Sequence, residues 1–426
     1  MEIKKLKGFR DVLPDEAPLW QHMEAAARRV LEAFGYREVR LPLLEDTALF
    51  RRSIGEATDI VEKEMYTFVD TGGNSVTLRP EGTASAVRAY LENGLHRSSP
   101  RVRWYYMGPM FRRERPQKGR LRQFHQIGVE CFGWAEPEAD AEVLAVLWDL
   151  FGAFGLTERL RLEVNTLGCP IDRRAYVERL REHLRGLRDD LCPDCQRRVD
   201  TNPLRVLDCK RERCRERTAD APLILDAVCP DCQAHFGRIR EILERVGIPH
   251  TVNPRMVRGL DYYNRTTFEL LAEGLGAQNA VAAGGRYDGL SEALGGPPVP
   301  ALGFAAGMER LALLLDPERV PAVRPVGYWV VRGPEAADRA LALRRSLAAR
   351  GLGTEIDLAP RSFKAQMRAA DRSGARVALI LAEDELGAGT VTVKDLATGE
   401  QEPVAAAALE AYLADRATTT PQGEEP

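Results

Sequence analysis

The most informative segment of this chain lies at residues 258–269 and reads Arg258-Gly259-Leu260-Asp261-Tyr262-Tyr263-Asn264-Arg265-Thr266-Thr267-Phe268-Glu269. It gathers a cation, a carboxylate and two phenols around a glycine, directly before an apolar run that is typical of a strand. Such a set of groups suits a pocket that holds a polar small molecule by its edges. The alternative interpretation is an ion pair with aromatic packing at the start of a strand, in particular a structural Arg258–Asp261 pair.

A second, strongly basic segment lies more than a hundred residues earlier. Six of the eleven residues 112–122 are arginine or lysine, and strand-like sequences at 102–107 and 123–132 flank them. A planar guanidinium can hold a phosphate through two parallel hydrogen bonds, which a lysine cannot do. The segment therefore predicts a phosphate-binding loop between two strands.

The strand that follows this loop has two chemically different faces. With a period of two, one face presents Phe124, Gln126, Gly128 and Glu130 and the other presents His125, Ile127 and Val129. The first face offers an aromatic plane, an amide, a gap and a carboxylate, which fits a site where Gly128 leaves room for a polar ligand. A solvated face at a sheet edge is the alternative.

Together the two segments resemble those of histidyl-tRNA synthetases, a family of class II aminoacyl-tRNA synthetases, and the resemblance extends from Gly8 to about residue 415. It implies an α+β fold with an antiparallel sheet core and flanking helices. On this basis residues 1–168 and 247–322 form the two parts of the catalytic core and residues 169–246 an inserted, mostly helical domain. Residues 326–416 form a C-terminal α/β anticodon-binding domain, and residues 417–426 a disordered tail.

The resemblance also implies roles for individual residues. The family pattern places Arg112 and Arg258 at the α-phosphate as catalytic groups. It places the histidine substrate against Glu81, Thr83, Gln126, Glu130, Tyr262, Tyr263 and Tyr287. ATP is bound by Arg112, Glu114, Arg120, Phe124, Arg258 and Arg310, with adenine between Phe124 and Arg310. Thr83 has a second interpretation as a helix N-cap, and Leu121 stands where family members commonly carry an aromatic residue.

Several local elements follow from patterning alone. A helix is expected at residues 18–34, a strand at 36–44 interrupted by Pro42, and a hairpin from Tyr66–Val69 and Ser75–Leu78. In the family the helix and the proline-containing strand build a dimer interface. The apolar run 301–315 predicts a buried helix. Alternating strands and helices beyond Pro325 indicate a small α/β domain.

Six of the eight cysteines form three close pairs within residues 169–246, namely Cys192/Cys195, Cys209/Cys214 and Cys229/Cys232. Any two pairs could supply a four-thiolate zinc site, for which Cys192, Cys195, Cys229 and Cys232 are the named candidates. Reduced, buried thiols are the alternative, and zinc is not expected to act in catalysis. Cys131 and Cys169 look like small core residues.

Overall composition describes an ordinary globular chain. Its 426 residues carry a net charge of −3, and 44% are hydrophobic and 29% charged. This argues against a general nucleic-acid coat, and without a secretory signal or a long apolar run no export or membrane span is expected. We therefore expect a cytoplasmic protein. The basic residues of the inserted domain are interpreted either as a solvated face or as a surface for the tRNA acceptor arm.

The expected function is activation of L-histidine with Mg²⁺-ATP to histidyl-adenylate, followed by transfer to the 3′ end of histidine tRNA by a homodimer. A rival from another class is a regulatory subunit of the first enzyme of histidine biosynthesis, which resembles the catalytic core. Such paralogues generally lack the C-terminal domain and part of the active-site set, whereas this chain keeps both. A catalytically inactive RNA-binding module conflicts with the same residues.

Overall fold

A computed structural model describes residues 2–55, 58–257, 260, 262–275, 279–316, 324–359 and 361–418. The contacts divide the chain into two units, 1–320 and 321–426. Among the helices of the described residues, none has the length and apolar composition that crossing a bilayer requires.

The first unit contains helices and strands in irregular alternation. In chain order they are α1 (Ala17–Ala33), β1 (Arg37–Glu38), β2 (Leu44–Asp46), α2 (Thr47–Ile54), β3 (Tyr66–Val69), β4 (Ser75–Leu78), α3 (Thr83–Glu92), α4 (Leu95–Ser98), β5 (Val102–Phe111), β6 (Gln123–Phe132), α5 (Pro137–Gly152), β7 (Leu160–Thr166), α6 (Pro170–Arg185), α7 (Pro193–Thr201), α8 (Leu204–Leu207), α9 (Glu212–Arg217), α10 (Pro230–Arg245), β8 (His250–Val252), β9 (Asn264–Ala272), β10 (Ala280–Arg286), α11 (Leu290–Ala293), β11 (Ala301–Gly307) and α12 (Met308–Ala312). A π-helical turn occupies Ile60–Glu64, and 3₁₀ turns occupy Thr157–Arg159, Arg188–Asp190 and Ile224–Asp226.

The predicted antiparallel core is confirmed. An eight-stranded sheet has the order β1-β5-β6-β11-β10-β9-β7-β8, and its interior pairs are antiparallel, whereas the outermost strands β1 and β8 pair in parallel. Strand β6 lies inside this sheet between β5 and β11, so its polar face is not a solvated sheet edge. A separate three-stranded sheet has the order β2-β4-β3 and contains the predicted hairpin.

The alternation predicted for β6 is also present. Ile127 and Val129 belong to an apolar core that also contains residues of α1, α5 and α10, such as Met23, Leu147 and Ile239. Burial of these side chains provides the main driving force for holding the three helices against the sheet. The opposite face of β6 is left for the polar groups of the site.

Two sequence predictions were wrong at the level of secondary structure. Residues 301–315 are not one helix, since Ala301–Gly307 is strand β11 and only Met308–Ala312 is helical. A short apolar run satisfies either structure, and the sheet decides here because Gly303 faces the backbone of β6, where a Cβ would lie 2.1 Å from the carbonyl oxygen of Val129. The strand expected at 36–44 is limited to Arg37–Glu38, with Leu44 starting β2 in the other sheet.

The second unit is a small α/β domain, as predicted. Its elements are β12 (Gly327–Val331), α13 (Pro334–Ala349), β13 (Thr354–Ile356), α14 (Phe363–Ser373), β14 (Val377–Leu381), α15 (Glu383–Ala388), β15 (Thr390–Asp395), β16 (Gln401–Ala405) and α16 (Leu409–Thr418). The sheet order is β13-β12-β14-β15-β16. Residues 417 and 418 of the expected tail belong to α16, and residues 419–426 lie outside the described residues.

Candidate active site

A cavity of about 310 Å³ lies on the polar face of the large sheet. Most of the residues that the sequence assigned to a histidine and ATP site line it, namely Glu81, Thr83, Arg112, Glu114, Arg120, Phe124, Gln126, Tyr262, Tyr263 and Arg310. They come from segments as far apart as residues 81 and 310. The fold therefore assembles into one cavity the groups that the sequence separates.

The basic loop is a hairpin extension of strands β5 and β6. The Arg112 N–H donates to the Arg122 carbonyl at 2.9 Å, and Gln117 and Arg120 exchange backbone hydrogen bonds at 3.0 and 2.9 Å. Gly119 turns the chain with a φ of +70°, a conformation that glycine adopts without strain. The extension brings the Arg112 and Arg120 side chains to the same cavity.

Three guanidinium groups line the cavity near Glu114, and two of them contact this carboxylate. Arg120 forms an ion pair with the nearly buried Glu114, and Arg112 Nη1 lies 3.9 Å from Glu114 Oε1. Arg310 Nε donates to the Gly119 carbonyl at 3.3 Å. Burial, followed by repulsion from Arg120, lowers the pKa of Arg310. Four carboxylates of the described residues line the same cavity, so the forked donors of these guanidinium groups, and not a net positive charge, are what suits a polyphosphate.

Arg112 is fixed from two sides. Its Nε donates to the Pro80 carbonyl at 2.8 Å, and its guanidinium carbon lies 5.4 Å from the centre of the Phe124 ring. A cation at this distance from an aromatic face is a favourable cation–π contact. Phe124 therefore supports Arg112 in addition to offering a ring surface to the cavity.

The cavity also offers acceptors for a ligand with N–H groups. Gln126 Oε1 is buried and has no hydrogen-bond partner among the residues that the structure describes. An unsatisfied buried acceptor costs about 1–3 kcal/mol, so this amide is poised for a donor that a ligand supplies. Gln126 is thus placed to bind a ligand N–H.

Glu81 caps the start of α3 with both oxygens of its carboxylate. Its two carboxylate oxygens accept from the Thr83 and Ala84 N–H groups at 2.7 and 2.9 Å. Burial raises the pKa of Glu81, and these backbone hydrogen bonds oppose that shift. Glu81 therefore caps the helix, whereas Thr83 is already the first helical residue and turns its hydroxyl elsewhere.

Glu130 and Tyr287 lie behind the cavity wall instead of lining it. Glu130 is fully buried and accepts from the Thr83 hydroxyl at 2.8 Å, the Tyr106 hydroxyl at 3.0 Å and the Tyr287 hydroxyl. Burial raises the pKa of Glu130 to about 8, against the effect of the hydrogen bonds from Tyr287 and Thr83. Among the described residues, Tyr106 and Thr83 connect Glu130 to the cavity, which both of them line.

Tyr106 was not among the residues predicted from the sequence, and the space beside Gly128 was assigned to a ligand. These two residues face each other across β5 and β6, and the tyrosine ring fills the space that Gly128 leaves open. The gap at Gly128 therefore accommodates Tyr106 and not a ligand. Only the strand register, which the sequence did not give, could have paired the two.

Two cavity carboxylates were also missed. Glu309, the residue before Arg310, accepts from the His125 backbone N–H at 2.9 Å and lies 3.0 Å from His125 Nδ1. It thereby ties α12 to β6. Glu269 of β9 lines the cavity as well. In the sequence, Glu269 and Glu309 were marked only by their position within or next to the motifs quoted above.

The rings of Tyr262, Tyr263 and Tyr287 lie close together. The ring centres of Tyr262 and Tyr263 are 4.6 Å apart, and those of Tyr262 and Tyr287 are 5.7 Å apart. Tyr262 and Tyr263 line the cavity, and their role as walls of a histidine pocket stays a prediction. Arg258 and Asp261 lie outside the described residues, so the role expected for Arg258 stays a prediction.

The cysteine pairs group differently from the set named in the sequence analysis. Cys192 and Cys195 lie with Cys209 and Cys214, whereas Cys229 and Cys232 lie with Cys169 and Asp172. The proposed site of Cys192, Cys195, Cys229 and Cys232 is therefore not assembled, because α7 and α10 begin at different places in the inserted region. Cys169 is half-buried and belongs to a cluster, so it is not simply a small core residue.

Class II aminoacyl-tRNA synthetases have an antiparallel sheet with a cavity on one face. Arginines reach that cavity from a hairpin loop and from a helix that follows the last strand, as they do here. The family model described as histidyl-tRNA synthetase matches residues 8–170 and 210–311, and that of an anticodon binding domain matches residues 326–416. The chain belongs to the histidyl-tRNA synthetase family.

Individual relatives agree. A histidine–tRNA ligase of Geobacter metallireducens is 54% identical over 402 residues, covering 94% of this chain and 97% of that protein, and one of Geobacter sulfurreducens is 54% identical over 399 residues, covering 94% and 96%. The crystal structure of apo S. aureus histidyl-tRNA synthetase matches with a TM-score of 0.81 and 36% identity, covering 97% of this chain and all of that one.

Proposed function

We propose that this chain joins L-histidine to histidine tRNA in two steps at the cavity described above. In the first step the histidine carboxylate attacks the α-phosphorus of ATP. A new P–O bond forms, the bond to the bridging oxygen breaks, and pyrophosphate leaves with its electron pair. In the second step a ribose hydroxyl of the terminal tRNA adenosine attacks the activated carbonyl and AMP leaves.

The observation that carries this proposal is that one cavity brings together two chemically different sets of groups. One set comprises Arg112, Arg120 and Arg310 with Glu114 and fits a triphosphate. The other comprises the Gln126 amide oxygen with Glu81 and two tyrosines, and it fits an ammonium and an imidazole. The two ligands would thus meet with the carboxylate facing the α-phosphate.

Each arginine has its own task in the first step. Arg112, held by Pro80 and Phe124, grips the α-phosphate, and Arg120 and Arg310 hold the outer phosphates, with Glu114 near the adenine amino group. Mg²⁺ accompanies ATP and neutralises phosphate charge. Arg258, by family resemblance, stabilises charge on the pentavalent phosphorus, an effect worth about 3 kcal/mol for a preorganised donor.

The histidine substrate is bound by hydrogen-bond acceptors. Glu81 and Thr83 bind the α-ammonium, and Gln126 accepts a ligand N–H, with Tyr262 and Tyr263 as walls. Glu130 and Tyr287 set the position of Tyr106 and Thr83, and ligand entry that moves the Tyr106 ring would open Glu130 to the imidazole. A buried acceptor left unpaired discriminates strongly against amino acids without a matching donor.

Transfer to tRNA requires further surfaces. The second unit, whose sequence matches an anticodon binding domain, reads the anticodon. A homodimer is supported by apolar side chains exposed in or near the proline-containing segment at residues 36–44, since Leu44, Phe68 and Val69 of the small sheet are 46%, 48% and 68% exposed in the single chain. A reaction that uses ATP and tRNA is consistent with a cytoplasmic protein.

Charging of histidine tRNA with labelled histidine tests this proposal. We expect acid-precipitable label with histidine tRNA and ATP, and none with an alanine tRNA transcript or without ATP. Pure chain that leaves histidine tRNA uncharged under these conditions would refute the transfer step. Light scattering at the same concentrations tests the dimer, for which a single-chain mass is the contrary result.

A further inference from the structure

The inserted region carries a cluster of four buried cysteines that the proposed reaction does not use. Cys192, Cys195, Cys209 and Cys214 are each at most 9% exposed, and their sulfur atoms all lie within 4.8 Å of one another. We propose that these four thiolates bind one structural Zn²⁺ ion, which holds the inserted region together and orients it on the catalytic core.

The geometry of the cluster fits tetrahedral zinc. With Zn–S bonds of about 2.3 Å, ligand sulfurs of a tetrahedral site lie about 3.8 Å apart. The Sγ atoms of Cys192 and Cys209 are 4.0 Å apart. A disulfide would require about 2.05 Å, and all eight cysteines are free in the structure. The arrangement is therefore one of four converging thiols.

The local backbone prepares the site. Cys192 is the N-cap of α7 and Cys195 lies in its first turn, so both sulfurs sit at the positive end of a nine-residue helix. Cys209 and Cys214 flank the start of α9. The Cys192 N–H donates to Cys214 Sγ at 3.2 Å, a contact of the kind that supports a metal-bound thiolate.

Ion pairs hold the segment that carries two of the four cysteines. Asp190, just before α7, lies 2.9 Å from Arg217 Nη2 and 3.4 Å from Arg213 Nη2. These contacts join the loop before Cys192 to the helix that contains Cys214.

The cysteine cluster lies in a segment with little regular structure. Between α6 and α10 the described regular structure consists of three short helices, of nine, four and six residues, and 3₁₀ turns. Such short helices are held by tertiary contacts, and Val199 and Leu204 pack in an apolar cluster that also contains Tyr106. A zinc ion that joins α7 to the start of α9 supplies a further constraint.

The cluster of Cys169, Asp172, Cys229 and Cys232 can be compared with the proposed zinc site. Residues 229–233 repeat the sequence of 192–196, Cys-Pro-Asp-Cys-Gln, and both copies start a helix in the same way. Gln196 and Gln233 each donate to the carbonyl of the residue before the N-cap at 3.1 Å. The partners differ, since Cys229 and Cys232 meet Cys169 and Asp172. Those two already form a capping box at the start of α6.

Zinc binding has a consequence for the core. Helix α7 also carries Arg198, whose Nη2 lies 3.4 Å from Asp59 Oδ2, and Arg205 of α8 lies 4.0 Å from the same atom. Asp59 precedes the π-helical turn whose Ile60 lines the cavity. The metal therefore holds the helix that contacts the edge of the active site.

Metal content of the full-length chain tests the proposal. Protein produced with added zinc, purified and passed over a desalting column is analysed by mass spectrometry for metals. We expect at least one zinc per chain, and Cys195→Ser and Cys214→Ser should each contain one zinc less than the parent. Cys131→Ser, in a buried position outside both clusters, should match the parent. Cys232→Ser, at the equivalent position of the repeated sequence, should keep the zinc that Cys195→Ser loses.

A second measurement covers variants that fail to fold. Chelator-treated, reduced parent protein is titrated with Co²⁺, and thiolate-to-cobalt charge transfer with tetrahedral d–d bands is expected at saturation. Zinc should displace the cobalt, and bound zinc should protect four thiols from a thiol reagent. A parent chain without zinc and without these cobalt bands would overturn the proposal, as would zinc that is lost in Cys232→Ser and kept in Cys195→Ser.

Discussion

The ring of Tyr106 lies against Gly128 so closely that a Cβ on Gly128 would stand 2.1 Å from Tyr106 Cζ. The tyrosine hydroxyl donates from this position to Glu130 at 3.0 Å. A glycine on one strand therefore fixes an aromatic side chain of the next, and that side chain separates a buried carboxylate from the cavity.

Gly128→Ala tests this relationship. The added methyl group forces the Tyr106 ring out of place, and we expect a loss of about 1–3 kcal/mol in the free energy of unfolding, as for other overpacked sites, together with a higher KM for histidine. Gly289→Ala is the matched control, since its Cβ would meet no atom within 4 Å. Denaturant unfolding compares them, and equal stability of the two variants would contradict the packing described.

The raised pKa of Glu130 predicts how the stability of the protein depends on pH. Burial raises its pKa to about 8, well above the usual value of a glutamate, so the folded state binds the proton more tightly than the unfolded state does. This contribution is fully present below the unfolded pKa and is lost as pH rises through the folded pKa. The contribution of Glu130 to the free energy of unfolding should therefore fall between about pH 5 and pH 8.

Glu130→Gln isolates that effect because glutamine does not titrate. We expect the difference in unfolding free energy, parent minus variant, to decrease steadily from pH 5 to pH 8. Thermal and urea unfolding at several pH values measure it. A difference that stays constant or increases over this range would mean that the pKa of Glu130 is not raised.

Arg112→Lys should nearly abolish activation while the fold persists. A lysine keeps the charge but loses the hydrogen bond to Pro80, the contact with Phe124 and the forked grip on phosphate. We expect kcat for ATP–pyrophosphate exchange to fall about 10²-fold, the effect of removing one preorganised donor. Arg115→Lys, exposed in the same loop, serves as control, and parental exchange by Arg112→Lys would rule out the assigned role.

Gln126→Met should weaken histidine binding selectively. The nearly isosteric side chain lacks the buried acceptor, whose hydrogen bond is worth about 1–2 kcal/mol, so we expect KM for histidine to rise about tenfold. KM for ATP should stay near the parental value, because Gln126 belongs to the set of groups assigned to histidine. Gln123→Met, outside the cavity wall on the same strand, is the control. A rise in KM for ATP alone would place Gln126 in the nucleotide site.

Much of the site was predictable because its residues lie in segments of strong local character. The arginine-rich loop between two strands, the alternating face of β6 and the hairpin at Tyr66–Val69 and Ser75–Leu78 all have sequence signals that local physics decides. The family resemblance supplied the remaining roles. Ten of the residues named in this way line one cavity.

What failed depended on contacts between distant segments. The run 301–315 is apolar enough for a helix, and only its place between β6 and β10 makes Ala301–Gly307 a strand. Three combinations of two cysteine pairs could have formed a site, and choosing among them required knowing which helices begin next to each other. Tyr106 went unnoticed because its importance comes from facing Gly128 across two strands, a matter of register that neither residue reveals alone.

The central claim is tested most directly by ATP–pyrophosphate exchange on the purified chain with each of the twenty amino acids in turn. The cavity described here predicts exchange that depends on histidine and is absent with the other nineteen. Exchange with another amino acid would contradict the assignment of Gln126, Glu81 and the tyrosines to histidine. A folded chain that binds histidine but shows no exchange would contradict the activation reaction itself and favour the regulatory alternative.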